Sequence, residues 1–326
     1  MNSINLTKKV FLTIFTLVFF MVMVFSINAE ANFPERSPVF NIHTEPGGGA
    51  DLFFRNIFRI AQDNDITIDG YSFEIRNRPG GSGIVCYSYV HGKEGDPYEL
   101  MPAQMSLITR LLSEDVDFQW SDFTLIANLV DDIKVLSVNA NSEYYDFDDI
   151  QEAANDRGVT IGGGFMGASD SIVGFDLRNA LEGDVEYLPF GDTPDAVAAL
   201  LGEDIDVFIG NPMETMSLYE GGRVRYVGVV SANRNPSLPD VPTLQEQGYD
   251  VTIAPNRGIA APANIPEEAR VKLVEFFREV VETDDWNNLI MEGALVPHFL
   301  EGEEFVEYFR NNEETLIPIM EEMGLL

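Results

Sequence analysis

The feature that most constrains the fold is a unit that occurs five times, in which a short β-type run leads through a turn into a helical run. The turns are rich in Gly, Ser, Thr, Asn and Pro and span residues 42–51 (IHTEPGGGAD), 75–83 (IRNRPGGSG), 161–171 (IGGGFMGASDS), 188–196 (LPFGDTPDA) and 209–213 (IGNPM). Strands that alternate with helices are typical of parallel sheets covered by helices. The sequence therefore predicts an α/β fold.

Apolar patterning locates the individual elements. Strands are predicted at residues 39–43, 73–75, 125–130, 135–138, 159–162, 185–188, 207–210 and 224–230. Helical spacing of apolar residues predicts helices at 51–61 and 267–281. We expect Asn264 to cap the second of these, with Pro266 in its first turn, and Thr193 to cap a helix over residues 195–201.

The turns indicate binding of an anion. Ligands of open α/β sheets lie at the carboxyl ends of the strands, where helix starts present unpaired N–H groups to carboxylate or phosphate. Glycine lets the backbone approach a ligand closely. One such turn is weak evidence, but five of them, with three successive glycines at 47–49 and at 162–164, favour a shared anion site.

The length predicts two domains, because 326 residues with 45% hydrophobic content exceed what one core of about 150 residues needs. We place one crossing near Lys134 and the return near Pro255. Residues 32–134 and 256–326 then form a discontinuous first lobe, and residues 135–255 form an inserted second lobe. The two crossings are expected to act as a hinge.

The charge excludes one class of partner. With 54 Asp and Glu residues against 20 Lys and Arg residues, the formal charge is −34 at pH 7, which repels nucleic acid. A carboxylate-rich surface with few lysines is open to two interpretations. We favour adaptation to high salt, where a Debye length of about 3 Å near 1 M mutes self-repulsion, over an acidic surface that only aids solubility.

Residues 1–31 predict a Sec signal peptide. Lys8 and Lys9 precede an apolar run over residues 10–27, and the small residues Ala29 and Ala31 each suit cleavage after them. The alternative is an uncleaved membrane anchor, because the run is near the minimum that spans a bilayer. This segment has no Cys to accept a lipid, so the expected destination is the periplasm.

Catalytic motifs are absent from the sequence: it contains no GxxxxGK, HExxH, GxSxG or SxxK. Cys86 is the only cysteine, which excludes an internal disulfide, and no histidine has a second His or Cys at metal-ligand spacing. His43, at the end of the first strand, is open to a ligand contact or a structural role. The sequence favours a binding protein over an enzyme, with no cofactor and no metal.

Several motifs resemble one family along nearly the whole chain that follows residue 31. They are Phe33-Pro34, PGGGAD (46–51), NRPGGSG (77–83), DFTLIANL (122–129), IGGG (161–164), SANRNPSLPDVPTLQEQGYD (231–250) and RGIAAPANIPEE (257–268). Their order and spacing are similar to those of the periplasmic substrate-binding proteins of tripartite tricarboxylate transporters, also called the Bug family. The resemblance implies a type II periplasmic-binding-protein fold, in which two α/β lobes close over a small carboxylate.

The resemblance also implies which residues contact the ligand. In the first lobe these are Gly48, Gly49, Asp51, Gly80, Gly81 and Ser82, and in the second lobe Gly167, Ala168, Ser169, Asp192, Thr193 and Asn211. Asp51 cannot attract an anion directly, so we assign it to capping its helix or holding a bridging water.

Two arginines are candidates for a charge-assisted bond to the ligand. Arg257 stands near the proposed crossing, within reach of both lobes. Arg78 is open to two roles, because it either binds the ligand or pins its own turn.

The expected function is that of a monomeric receptor that captures a di- or tricarboxylate and delivers it to integral-membrane transporter subunits. A ligand-presenting sensor for a two-component kinase is an alternative with the same fold, and a periplasmic hydrolase is a weaker one. The sequence leaves the identity of the carboxylate open.

Overall fold

The computed structural model describes residues 33–47, 49–164, 166–191, 193–251 and 255–326. Residues 36–326 form one compact unit, which contains every helix and strand of the described residues. The predicted signal peptide and the predicted site residues Gly48 and Asp192 lie outside the described residues. No helix within the described ranges has the length and apolar character needed to cross a bilayer.

The first sheet has six strands: β1 (Val39–Ile42), β2 (Glu74–Asn77), β3 (Glu99–Ala103), β4 (Phe123–Asp131), β10 (Asn256–Pro262) and β11 (Val296–Glu301). Their order across the sheet is β11-β4-β10-β3-β1-β2. β1 runs parallel to β2 and β3, whereas β10 runs antiparallel to both of its neighbours, β3 and β4. β11 is the antiparallel edge strand beside β4.

The second sheet has five strands: β5 (Lys134–Asn139), β6 (Val159–Gly163), β7 (Val185–Pro189), β8 (Val207–Gly210) and β9 (Val224–Val230). Their order is β7-β6-β8-β5-β9, with β6 parallel to β7 and β8, and β5 antiparallel to β8 and β9. The chain passes between the sheets twice, at residues 131–134 and 230–256. The lobe boundaries stay a prediction, since residues 36–326 form one compact unit.

Helices cover the sheets. They are α1 (Gly49–Asp63), α2 (Ile84–His91), α3 (Met105–Ser113), α4 (Phe147–Asp156), α5 (Ser169–Ala180), α6 (Thr193–Leu201), α7 (Pro212–Glu220), α8 (Glu267–Val281), α9 (Asp284–Gly293) and α10 (Gly302–Glu322). A single 3-10 turn (Gly81–Gly83) precedes α2.

Aromatic packing in the core positions α1 against β1. Phe54 and Phe58 on α1 pack on Phe40 of β1, with ring centroids 4.6 and 5.1 Å apart, and all three are buried. Aromatic pairs at this separation add to the free energy gained by burying apolar surface. This packing holds the first turn of α1 beside the carboxyl end of β1.

All eight predicted strands are present, with ends shifted by at most two residues, and the predicted helices lie within α1, α6 and α8. β3, β10 and β11 were not predicted, because Pro102, Pro262 and Pro297 interrupt their apolar pattern.

The predicted cap of α8 is wrong. Pro266 is the N-cap residue, with the extended angles φ −56° and ψ 139°, and the helix begins after it at Glu267. Asn264 lies outside the helix in a left-handed conformation (φ 58°), where its Nδ2 donates to Glu94 Oε1 at 2.7 Å. Pro266 disfavours helical backbone at the residue before it, Ile265, so the helix does not extend back to Asn264.

Candidate functional site

A cavity of about 370 Å³ lies at the carboxyl ends of parallel strands from both sheets. Its described lining residues are His43, Thr44, Ser82, Gln104, Met105, Ser106, Thr109, Arg110, Asp132, Gly167, Ala168, Ser169, Ile172, Pro255 and Asn256. These residues follow β1, β2, β3 and β6, or lie on the two crossings between the sheets. Since ligands of open α/β sheets bind at this position, the cavity is the candidate site.

The start of α5 forms one wall of the cavity. Gly167, Ala168 and Ser169, all predicted ligand contacts, line it. Gly167 has a φ of 88°, and its N–H donates to the Ser171 hydroxyl at 2.9 Å. Ala168 is the N-cap residue, and no side chain caps the helix. The first amides of α5 and the positive end of its dipole suit an anion in the cavity.

The turn after β2 contributes Ser82, while the predicted residues Gly80 and Gly81 do not line the cavity. Gly80 to Gly83 all have positive φ angles, so the backbone here is left-handed throughout. At Gly83 (φ 111°), a Cβ atom would lie 2.9 Å from the ring of Tyr87. Glycine is therefore required there, because the turn packs directly on this buried ring.

Asp51 does not line the cavity. Its carboxylate connects the turn after β1 to the end of β2. Asp51 is the third residue of α1, buried, and accepts hydrogen bonds from Gly47 N (2.9 Å), Arg55 Nε (2.9 Å) and Asn77 Nδ2 (2.7 Å). Burial by itself would raise the pKa of Asp51, but these hydrogen bonds outweigh it and hold the pKa below its usual value. Gly49, the first residue of α1, also lies outside the cavity lining.

Arg257 is held inside the protein. Its Nη2 donates to Asp132 Oδ2 at 2.6 Å, its Nη1 donates to the carbonyl oxygen of Gly49 at 3.0 Å, and its guanidinium lies 5.0 Å from the ring centroid of Phe53. The two side chains of the ion pair are only 13% and 14% exposed. Asp132 lines the cavity and Arg257 does not, so Arg257 compensates an acid at the edge of the site.

Arg78 pins its own turn, which was one of its two expected roles. Its Nε donates to Asn41 Oδ1 at 2.6 Å, and its guanidinium lies over the Tyr89 ring, 3.4 Å from the centroid. The first contact joins the turn after β2 to β1, and the second joins it to α2.

Thr193 and Asn211 belong to a polar network beside the second sheet and are not among the cavity-lining residues. Thr193 Oγ1 donates to Glu214 Oε1 at 3.1 Å, and Asn211 N donates to Glu214 Oε2 at 2.7 Å. Lys134 Nζ donates to Asn211 Oδ1 at 2.7 Å and pairs with Asp170 at 2.5 Å. Burial and the nearby Asp170 charge raise the pKa of Glu214. The polar groups of Thr193 and Asn211 therefore already form hydrogen bonds within the protein.

The glycines at 162–164 have a packing role. A Cβ at Gly162 would lie 2.4 Å from Ile205 Cδ1, and one at Gly163 would lie 2.7 Å from the Tyr187 hydroxyl. That hydroxyl donates to the Gly164 carbonyl oxygen at 2.7 Å. The space that these glycines leave is filled by the protein's own side chains.

Sequence reasoning missed the wall formed by α3 and the residue before it, which holds Gln104, Ser106, Thr109 and Arg110. The turn before α3 contains no glycine, and β3 was not predicted, so the signal used for the other turns is absent. Had the strand at 99–103 been predicted, a helix start at the residues that follow it would have been expected.

His43 lines the cavity as a neutral side chain. Burial, together with the positive charge of Arg257, lowers its pKa to about 4. Its ring lies beside Tyr87, with centroids 5.6 Å apart. Across the described ranges, no group of three His, Cys, Asp or Glu residues is arranged to hold a metal ion.

Related sequences span most of the chain. Residues 57–325 match the family model of the tripartite tricarboxylate transporter family receptor, TctC. A Cupriavidus necator protein, the UPF0065 protein in the gbd 5′ region, is 22% identical over 298 residues, which cover 90% of this chain and 89% of that protein. BugT of Bordetella pertussis is 23% identical over 260 residues, which cover 77% of this chain and 78% of BugT.

Solved structures share the fold. A TctC solute-binding protein from Polaromonas has a TM-score of 0.81 at 20% identity, covering 89% of this chain and 99% of that one. A Rhodopseudomonas palustris protein solved with adipate has a TM-score of 0.70 at 20% identity (90% and 99% covered), and MatC from the same organism, solved with bound malate, has 0.64 at 19% (89% and 100% covered). The expected periplasmic-binding-protein fold is thereby confirmed.

Proposed function

Because this chain belongs to the tripartite tricarboxylate transporter receptor family, we propose that it is an exported solute-binding protein that captures a small di- or tricarboxylate between its two lobes. The observation that carries the proposal is the cavity in which the start of α5 meets the turns that follow β1, β2 and β3. Related structures that hold malate and adipate support this class of ligand.

The lining suits such an acid. The first amides of α5 supply N–H donors at the positive end of a helix dipole, and Ser82, Ser106 and Ser169 add hydroxyl groups. Hydrogen bonds to an ionised acceptor are about twice as strong as those between neutral groups. In this proposal Ser82, Gly167, Ala168 and Ser169 contact the ligand, while Asp51 and Arg257 hold the turns in place.

The family assignment supports delivery to a membrane transporter as the second part of the proposal. We propose that the ligand-bound protein docks as a monomer on integral-membrane transporter subunits in the periplasm, after its signal peptide has been removed. Ligand binding would shift the lobes towards a closed form that the membrane subunits recognise. A multi-span permease gene beside this gene would support delivery to a transporter, whereas a neighbouring kinase gene would favour the sensor.

A thermal-shift screen tests the proposal. The chain from residue 32 onward is tested with mono-, di- and tricarboxylates and with uncharged sugars. A ligand at 100 times its Kd stabilises the folded protein by about 2.7 kcal/mol. We expect a clear rise in melting temperature with at least one di- or tricarboxylate and none with sugars, and we expect the acid to be recovered unchanged.

A pair of variants locates the site. Ala168→Trp fills the start of α5 and should abolish the shift, whereas Ala198→Trp, at an exposed position on α6, should preserve it. A screen without any carboxylate hit contradicts the function, and an undiminished shift in Ala168→Trp contradicts the site.

A further inference from the structure

Arg110, in the last turn of α3, is an uncompensated cation in the cavity wall. Its side chain makes no hydrogen bond or ion pair with any other residue in the described ranges. Its Nη2 lies 3.7 Å from the point where a Cβ on Gly167 would stand, which places the guanidinium beside the start of α5. Arg257 differs, because its charge is paired with Asp132.

Three further polar atoms of the described lining have no partner. His43 Nδ1, Thr44 Oγ1 and Asn256 Oδ1 are buried and form no hydrogen bond with the part of the chain that the structure describes. Buried polar atoms without a partner cost free energy, and in native proteins nearly all of them are satisfied. Their presence in the lining therefore points to a polar ligand in the cavity.

The charge balance makes that ligand an anion. Among the described lining residues Asp132 is the one acid, and Arg257 already compensates it. Arg110 therefore leaves the described lining with one positive charge, in a chain whose formal charge is −34. A partly desolvated guanidinium without a counter-ion is costly, and a bound carboxylate would remove that cost.

We propose that Arg110 forms the ion pair that holds one carboxylate of the ligand, with the start of α5 donating to the same group. This inference rests on the proposed function and adds the residue that makes the site select an acid. A guanidinium donates two parallel hydrogen bonds to a carboxylate, which a lysine ammonium cannot reproduce. Neutral His43 and Thr44 then form hydrogen bonds with the uncharged polar groups of the same ligand.

The proposal is tested by the preference for an acid over its amide. Titration calorimetry measures the affinities of malate and adipate and of their uncharged counterparts, malamide and adipamide. In the wild type we expect the acid to bind at least about 10-fold more tightly than its amide. Arg110→Gln should weaken acid binding by about 10- to 100-fold and leave amide binding nearly unchanged, so that the preference disappears.

Two further variants separate charge pairing from a structural role. Arg110→Lys keeps the positive charge but cannot donate two parallel hydrogen bonds to a carboxylate. It should therefore retain part of the preference for the acid over its amide. Arg59→Gln removes an exposed arginine of α1 outside the cavity and should change neither affinity. Equal preference in the wild type and Arg110→Gln overturns the role of Arg110 while the proposed function stands. Failure of the wild type to bind either acid, together with an empty carboxylate screen, overturns the proposed function itself.

Discussion

Asp176, on α5, carries a carboxyl group that the protein places in unfavourable surroundings. Burial and the negative charge of Asp250 raise its pKa from 3.8 to about 6. A group whose pKa is raised on folding binds its proton more tightly in the folded state, so ionisation costs stability. That cost is absent below about pH 4, grows between pH 4 and pH 6, and is complete above pH 6.

We predict that Asp176→Asn stabilises the protein at pH 7.5 by about 2 kcal/mol, because the amide cannot ionise. The gain should shrink at pH 5, where part of the wild-type cost is already removed. Urea denaturation at both pH values and fixed ionic strength measures it. Asp240→Asn, at an exposed position, is the control and should show little difference between the two pH values. A gain for Asp176→Asn that does not vary with pH would contradict the assignment.

At the scale of elements, the buried side chain of Lys134 connects three of them through one ion pair and one hydrogen bond. Lys134, the first residue of β5, is 4% exposed at its side chain and pairs with Asp170 in the first turn of α5. Lys134 also donates to Asn211, whose side chain belongs to the capping box at the start of α7. Removing one partner of such a buried pair costs more folding free energy than replacing both, because it leaves an unpaired buried charge.

We predict that Lys134→Met destabilises the protein by about 3 kcal/mol, because it leaves the Asp170 carboxylate without its counter-charge. The double variant Lys134→Met/Asp170→Asn should be more stable than Lys134→Met alone, since it leaves no unpaired charge. A double-mutant cycle from urea denaturation provides the coupling energy. Additive effects of the two substitutions would show that the pair does not couple β5 to α5.

Over the whole molecule, the excess of acid governs how stability responds to salt. The described ion pairs are mostly exposed, and such pairs contribute little each. Most carboxylates cannot pair with a basic side chain, because acidic residues outnumber basic ones 54 to 20. The compact state therefore concentrates negative charge that only solvent ions can screen.

We predict that the melting temperature rises steeply with NaCl up to roughly 0.5 M and then levels off, as the Debye length shortens. The triple variant Glu304→Gln/Glu314→Gln/Glu321→Gln, which removes exposed charges from α10, should have a shallower rise. Differential scanning calorimetry from about 0.05 to about 2 M salt tests both expectations. A melting temperature that does not change with salt would reject the adaptation hypothesis.

Much of the fold is readable from local sequence. The apolar runs at 159–162 and 224–230 predicted β6 and β9, and the spacing at 267–281 predicted α8, because the side-chain period of each element is imposed by its own backbone. Prediction failed at β3 and β10, where proline and glycine weaken the pattern and where pairing with distant strands decides the conformation.

The candidate site was less predictable than the fold. The family resemblance implied Ser82 and the start of α5 as ligand contacts, but the wall formed by α3 was not predicted. The resemblance also implied Asn211 as a ligand contact, yet its side chain accepts a hydrogen bond from Lys134 of β5. Arg257 was chosen for its charge and its place near a crossing, yet Asp132 pairs with that charge. Neither partner is visible in the local pattern.

The sequence by itself determined the α/β class, the positions of the turns and the family, because these depend on periodicity and short motifs along the chain. Only the tertiary structure decided which turns share a cavity and which arginine of its wall has no ion-pair partner among the described residues. The reason is that hydrogen bonds and ion pairs between residues far apart in the chain, such as Arg257 with Asp132, form only when packing brings their elements together. Arg110 is distinguished from Arg257 by that packing alone.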